Sequence, residues 1–524
     1  MYEIMTQDPV AVDAGMSRLA NSTQQDIGIL AAGAGTSLIG KMVGQGFYVL
    51  GGIVLARLLG PAVFGLYAIG LTMLRVAGTV CLLGLPQGVV RYGSRYQNSD
   101  PSRLRGLLLE AIGLVVLSGA LTGGIFYIAA PWLAKQVFQK PDLLPVIRWF
   151  SPAFALYAGL RVTAAATTVS QETKYAVYSR DVGQPALNLF LAVGLSLLGL
   201  GLLGVVAANG VSYAITFALA LVYLKRLFPE ALSRQTRPTS VVRELLAFSL
   251  FASGAGAFTV LSTWATRLMV GAFLQAGDAG IYQAASQSSI VFPMIASALN
   301  VIFSAMIADL SRGRHVDRLD ELYKISTKWG LYLSLPLLLA VCSMPRRFMV
   351  IAFGAGYESG WQTLVLLVVG QLVAAGVGAV GPLMTMTGHQ RNWFAISGAA
   401  LVTNLILGWV LIPRLGLIGA ALSTTCTVAC MSLVGLVQVR RFLGIWPYDR
   451  RYLKGLVAAA SSVAVWVLLR TSVVDSLLLT LLLCGAAYGV VFPAVLLLQG
   501  LDAEDTEFLH SIGRRLRRPT RIAR

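Results

Sequence analysis

Fourteen stretches of mostly apolar residues run along this chain, near 33–56, 62–86, 106–130, 149–169, 182–200, 202–224, 246–273, 280–308, 328–344, 361–387, 394–412, 416–437, 453–470 and 474–498. Each is close to the roughly 20 residues that a helix needs to cross a bilayer. Gly and Pro interrupt many of them, which membrane helices tolerate because neighbouring groups re-satisfy the freed backbone. Composition agrees: 56% of the 524 residues are hydrophobic and 12% are charged, with mean hydropathy +0.73, against about a quarter charged in a soluble domain. A cytosolic enzyme and a disordered scaffold are excluded. The expected fold is an all-α polytopic membrane protein of about 14 transmembrane helices.

The net charge of +18 is no nucleic-acid signature, because the 41 Lys and Arg sit mostly in short loops between the apolar runs. With the N-terminus inside, the loops at 87–106, 170–181, 225–243, 309–328, 388–393 and 438–454 and the tail after 499 carry 28 Lys or Arg, against 8 on the opposite side. Positive charge marks the cytoplasmic face, so both termini are expected there. Residues 1–32 carry Glu3, Asp8, Asp13 and Asp26 against a single Arg18, without the basic-then-apolar pattern of a cleavable signal, and are expected to form a cytoplasmic tail. The run Arg514-Arg515-Leu516-Arg517-Arg518 reads as an anchor on anionic lipid. Membrane lipids are therefore expected partners and nucleic acid is not. The opposite loops are all short, which argues against a large external catalytic domain.

Short matches recur at an offset of 215. Gly65-Leu66-Tyr67-Ala68 meets Gly280-Ile281-Tyr282-Gln283, Leu104 and Leu107 meet Leu319 and Leu322, and Gly201-Leu202-Leu203-Gly204 meets Gly416-Leu417-Ile418-Gly419. Asn188 falls one residue from the partner of Asn404. The expected organisation is two pseudo-symmetric six-helix bundles at 33–224 and 246–437, joined by a cytoplasmic linker at 225–245. Six is an even number of crossings, so the two copies share one orientation, related by an axis along the membrane normal. Two C-terminal helices at 438–498 and a basic tail at 499–524 lie outside the repeat. Two such bundles facing a cavity are suited to alternating access.

The five cysteines give no disulfide framework; Cys426 and Cys430, four apart, read as helix packing. His315, His389 and His510 have no metal-like spacing. Gly35 to Lys41 satisfies most of a P-loop pattern, but Met42 stands where the magnesium-binding hydroxyl belongs, inside an apolar run. No metal and no cofactor is expected.

The stretch Arg57-Leu58-Leu59-Gly60-Pro61-Ala62-Val63-Phe64-Gly65-Leu66-Tyr67-Ala68 resembles the first-hairpin signature of polysaccharide and oligosaccharide flippases, the Wzx-type branch of the multidrug/oligosaccharidyl-lipid/polysaccharide exporter superfamily. Gly280-Ile281-Tyr282, Phe353-Gly354 with Tyr357, Gly388-His389-Gln390-Arg391, and Ile412-Pro413-Arg414-Leu415-Gly416-Leu417-Ile418-Gly419-Ala420-Ala421 are similar to the same family, and the resemblance runs over roughly 30–500. It implies a bacterial inner-membrane transporter, not an enzyme. Its cargo would be polyprenyl-pyrophosphate-linked oligosaccharide, moved from the cytoplasmic to the periplasmic leaflet for exopolysaccharide, capsule or O-antigen synthesis. Glycan polymerase and assembly machinery are further candidate partners. Gly60-Pro61 is expected to break the first span and Gly65 to permit close helix approach.

Within the spans, Lys41, Arg75, Arg161 and Arg267 are the basic residues left once loops and tails are assigned. Each costs about 2.5–3.5 kcal/mol at a helix centre unless it faces water or a partner. No acidic residue sits comparably deep, which points to the cargo's pyrophosphate as counter-ion. Asn188, Asn300 and Asn404, with Gln45, Gln283 and Gln287, are candidates for sugar hydroxyls, and Tyr48, Tyr157, Trp264 and Tyr282 for stacking on sugar faces. Snorkelling cations and helix–helix hydrogen bonds are the plainer alternatives. A multidrug exporter of the same superfamily would want an acidic cavity and twelve spans. A peptidoglycan-precursor flippase would also have fourteen spans and cationic cavity residues. A glycan polymerase or ligase would need an external catalytic loop.

Overall fold

The computed structural model describes residues 9–231, 233, 235–252, 254–290, 316–449, 451–470 and 477–500. Their regular secondary structure is all helical, with no strand among the described residues. Eight helical stretches among the described residues are long and apolar enough to cross a membrane, or nine if Leu143–Phe150 and Ala153–Ser170, bent by 40°, form one span. Three of the eight, Ile39–Cys81, Lys174–Leu227 and Gln390–Leu443, run for 43, 54 and 54 residues. At about 1.5 Å per residue each is at least twice as long as a roughly 30 Å hydrocarbon core. Each is also broken inside. Gly60, at φ 73° and ψ 171°, precedes Pro61, whose ring disfavours helical geometry in the residue before it. Gly201 (φ 49°, ψ −132°) and Gly416 (φ 59°, ψ −133°) break the other two. These glycines lie 215 residues apart and share one backbone conformation, which a side chain would disfavour. Residues 291–315 and 471–476, which fall in two of the expected spans, lie outside the described residues.

The described residues divide into two compact units: Met1–Ile290 with Met349–Leu367 and His389–Met431, and Val291–Phe348 with Val368–Gly388 and Ser432–Arg524. In the first, the Ala153–Thr167 helix is buried along nearly its whole length. Its run of Ala and Gly lets Pro101–Trp132 and Gly201–Leu227 close on it, as small residues do between membrane helices. Tyr157 and Arg161 project from it one turn apart. The Pro101–Trp132 helix starts on Asp100, whose carboxylate accepts from the Ser102 and Arg103 amides at 3.0 Å each, an N-cap arrangement. Arg105 donates to the Ser233 and Thr236 carbonyls, and Glu110 accepts from the Val241 amide at 2.9 Å. The linker after Leu227 is thereby fastened to the start of that helix. Ile128, Leu197 and Leu198 are 81%, 74% and 77% exposed, a surface suited to acyl chains rather than to water.

In the second unit, the helices Tyr452–Arg470 and Leu477–Ala486 pack with Val316–Ser343. Trp466, Cys484, Ala487 and Tyr488 form one buried cluster, against which Leu339 and Ala340 pack. Leu335, Ala458 and Phe492 form a second. The Ser343 and Tyr488 hydroxyls meet at 2.5 Å, and Arg347 donates to Thr480 at 2.7 Å. The Asp320 carboxylate accepts from the Trp446 amide at 3.1 Å and pairs with Lys324 at 2.6 Å. Asp320→Ala strands that amide, so we expect a loss of about 1–3 kcal/mol, read as a lower melting temperature in detergent. Asp320→Asn, which keeps an acceptor, should lose less.

Candidate functional site

Three arginines from three separate helices are gathered around two aromatic rings inside the first unit. The Arg75 guanidinium carbon lies 5.6 Å from the Tyr157 ring centroid and 5.8 Å from that of Trp264. That of Arg161 lies 5.8 Å from the same tyrosine ring, and that of Arg267 lies 4.1 Å from the same tryptophan ring. Ring quadrupoles partly offset the loss of hydration around such cations. Among the described residues, none of the three forms an ion pair with a carboxylate. Arg267 Nε donates to Ser286 Oγ at 3.1 Å, but Arg267 Nη1 and Arg75 Nε are buried with no acceptor. A buried donor left this way costs about 1–3 kcal/mol, and more when it is charged. Cations with spare donors and no internal acid suit a ligand that brings several anionic oxygens.

Arg75 also lines a cavity together with Tyr48, Tyr67, Gln184, Asn188, Asn209, Gln283 and Gln287. The space open to the centre of a water molecule there is about 30 Å³. That is room for a water or two and not for a sugar ring; Leu55, Phe64 and Leu71 line it beside the polar groups. Gln287 Nε2 donates to the Tyr48 carbonyl at 2.6 Å, and Asn209 Nδ2 to Asn188 Oδ1 at 3.4 Å. Gln283 Oε1, Asn209 Oδ1 and the Tyr213 hydroxyl are buried without a partner among the described residues. Tyr213 meets Tyr157 edge to face at 5.6 Å. The lining thus offers both donors and acceptors, the mixture that hydroxyl-rich ligands require.

Of the residues singled out from the sequence, Arg75, Asn188, Tyr48, Gln283 and Gln287 line the cavity, and Arg161 and Arg267 are joined to Arg75 through the two rings. Lys41 is exposed and does not line the cavity. Asn404 is buried and its amide is spent on helix packing: Nδ2 donates to the Ser262 carbonyl at 2.7 Å, and Oδ1 accepts from Thr266 at 3.0 Å. Thr424 extends that chain to the Tyr282 hydroxyl at 2.9 Å. Asn300 lies outside the described residues. Sequence reading passes over Tyr67, Gln184, Asn209 and Tyr213. Gln184 and Asn209 carry the signal that marks Asn188, an amide inside an apolar run. The tyrosines carry none, because a tyrosine in a span fits an interface belt equally well.

Beside the cavity the two copies of the hairpin motif touch. A Cβ on Gly65 would stand 2.9 Å from the Gly280 amide nitrogen, and one on Gly280 3.1 Å from that of Gly65. The Gly65 face also meets the Ala276 carbonyl, and the Gly280 face the Pro61 carbonyl. Both pairings change places under the offset of 215, so the contact is reciprocal. Nearby, Lys140 Nζ donates to the Gly271 and Leu274 carbonyls at 2.7 Å each. Burial pushes its ammonium below the usual lysine range, against the opposing pull of Asp278.

The apolar helices long enough to cross a membrane, and the arginines buried among them, are those of an integral membrane protein. The chain matches the model of the family described as polysaccharide biosynthesis protein over residues 54–362, and it belongs to that family. It is 23% identical over 390 residues, 73% of this chain and 74% of the relative, to the succinoglycan biosynthesis transport protein ExoT of Rhizobium meliloti (strain 1021). Its fold is similar to that of the lipid II flippase MurJ in an inward closed conformation, with a TM-score of 0.69 at 14% identity over 89% of this chain and 98% of that one. It is also similar to a multidrug resistance MATE family transporter of the MOP superfamily in its inward-facing conformation, with a TM-score of 0.63 at 14% identity over 78% and 98%. The chain is a multi-pass membrane protein of the polysaccharide biosynthesis family to which its hairpin signature points, and the relative it matches is named as a transport protein rather than an enzyme.

Proposed function

We propose that the protein is a flippase that moves polyprenyl-pyrophosphate-linked oligosaccharide units from the cytoplasmic to the periplasmic leaflet of a bacterial inner membrane. In this reading it has fourteen spans, two parallel six-helix bundles at 33–224 and 246–437, and both termini in the cytoplasm. The observation that carries the reading is the cluster of Arg75, Arg161 and Arg267 on shared aromatic rings, with unpaired buried donors and no carboxylate partner among the described residues. A pyrophosphate supplies the missing acceptors, Arg75 and Arg267 hold its oxygens, and Asn188 and its amide neighbours meet the first sugar. A cavity with room for a water or two must open for such a cargo, which supports alternating access. Outward movement of an anion is favoured by about 2.3 kcal/mol per charge per 100 mV, inside negative.

The relative named for succinoglycan transport favours an exopolysaccharide unit over the lipid II in the name of the MurJ structure. A cationic cluster also disfavours cationic drugs. The test is depletion of the protein in its host, followed by lipid extraction and mass spectrometry. One completed polyprenyl-pyrophosphoryl glycan repeat should accumulate, inaccessible to a sugar-modifying probe added outside. Accumulation of a peptidoglycan precursor instead, or sensitivity to cationic dyes with no lipid-linked glycan, would replace this reading.

A further inference from the structure

Three helix C-termini in the first unit are capped by side chains distant in sequence. Tyr357 donates its hydroxyl to the Ala56 carbonyl at 3.0 Å, four residues before the break at Gly60. Arg57 donates Nε to the Ala352 carbonyl at 2.9 Å and Nη2 to that of Ile351, in the last turn of Pro345–Phe353. Lys140 donates to the carbonyls of Gly271 and Leu274, where Gly254–Phe273 ends. Carbonyls at a helix C-terminus lack an intrahelical donor and carry the negative end of the dipole, so cations are natural caps for those of Ile351, Ala352, Gly271 and Leu274; at Ala56, one turn before the break, the Tyr357 hydroxyl is an added donor.

The pattern of these caps matters more than their number. Ala56 and Gly271 are equivalent positions at the offset of 215, and so are Phe138 and Phe353, which begin the segments that carry Lys140 and Tyr357. The same carbonyl in each sequence repeat is thus capped from the loop of the other repeat. The chain that follows Ala56 and the chain that follows Gly271 are the two segments that meet at Gly65 and Gly280.

We propose that Arg57, Lys140 and Tyr357 form a reciprocal latch that holds the outer end of the cavity shut, with Gly65 and Gly280 as the contact it clamps. This rests on the flippase reading only for the side of the membrane on which the latch lies. Every bond in the latch joins a side chain to a backbone carbonyl that water can satisfy once the ends part. Such bonds exchange with water for a small net change, which lets the end open without leaving a buried polar group orphaned. Ion pairs across the same gap would strand a charge at each opening. The latch fixes the balance between closed and open, and the cargo has only to tip it.

The test places a cysteine at Leu55, a buried residue of the cavity lining, and follows its reaction with a membrane-impermeant maleimide added to intact cells. Labelling at position 55 is read by peptide mass spectrometry, which separates it from the five native cysteines. In the Arg57→Gln, Lys140→Gln double variant we expect labelling about tenfold faster than in the single Leu55→Cys chain, and in Tyr357→Phe about threefold faster. Equal rates in all chains, from either side of the membrane, would overturn the latch. Acceleration seen only in inverted vesicles keeps the latch but overturns the orientation in the flippase reading. If the double variant fails to accumulate, Tyr357→Phe, which removes one hydroxyl, decides alone.

Discussion

Arg75→Ala is expected to abolish glycan export while leaving the amount of protein in the membrane unchanged. Arg75 is the middle member of the cluster: it reaches the Tyr157 ring that Arg161 shares and the Trp264 ring that Arg267 shares. It is also the arginine that lines the cavity. Truncating one side of a buried charged contact costs about 2–5 kcal/mol, which is roughly 30- to 4,000-fold in occupancy. Because the arginines repel one another when no anion is present, removing one should leave the empty protein as stable as before or slightly more so. A purely structural arginine predicts the opposite, a loss of protein together with a loss of export. Arg161→Ala should fail in the same way. Arg75→Lys keeps the charge but not the fork that grips two oxygens, and it should restore only part of the activity. Export is read as surface polysaccharide per unit of transporter in a strain lacking the native copy. Normal export by both alanine variants would remove the cluster from the transport path.

Gly280→Val should have an effect of comparable size for a steric reason. At Gly280 even a methyl group meets the Pro61 carbonyl and approaches the Gly65 amide nitrogen to 3.1 Å. Those neighbours are backbone, so they cannot swing aside as a side chain could. The closed contact is then denied to the protein, and export should fall to background. Gly65→Val should do the same from the other side, since its face meets the Ala276 carbonyl and the Gly280 amide. Gly277→Ala is the control. It lies on the same helix with nothing within 4 Å of the added carbon, and Gly→Ala at a helical site that accepts it stabilises by about 0.4–1 kcal/mol. If Gly280→Val and Gly277→Ala export equally well, close approach at this point is not needed for transport.

What could be read from the sequence followed from how conspicuous each signal is in an apolar background. An arginine in a run of Leu, Val and Ala stands out, so Arg75, Arg161 and Arg267 were visible at once, and so was the absence of a deep carboxylate. The gathering of all three around Tyr157 and Trp264 was not visible, because nothing in a span's own residues says which neighbour its charge will face. Lys41 carries the same one-dimensional signal as Arg75 and yet is exposed. Asn404 resembles Asn188 in sequence, but its amide is used up between Ser262 and Thr266. The caps on Ala56, Gly271 and Ala352 have backbone acceptors and so leave no trace in residue type. Arg57 and Lys140 could only be counted as loop charges. Gly65 was readable as a place of close approach, and so was its match to Gly280, but not that each is the other's neighbour.

The reciprocity at Gly65 and Gly280 carries a consequence about descent. A patch that fits its own copy is the surface by which two identical chains associate about a two-fold axis. Pro61 and Gly65 read against Ala276 and Gly280 as one such patch would read against itself in a second molecule. In the proposed two-bundle organisation, a single six-helix chain bearing the hairpin motif would already have owned both halves of this seam. The segment fastened by Arg105 and Glu110 then supplies covalent permanence to a pairing that symmetry made available. It also frees each copy to drift, so that only one of them needs to keep the arginine now at position 75.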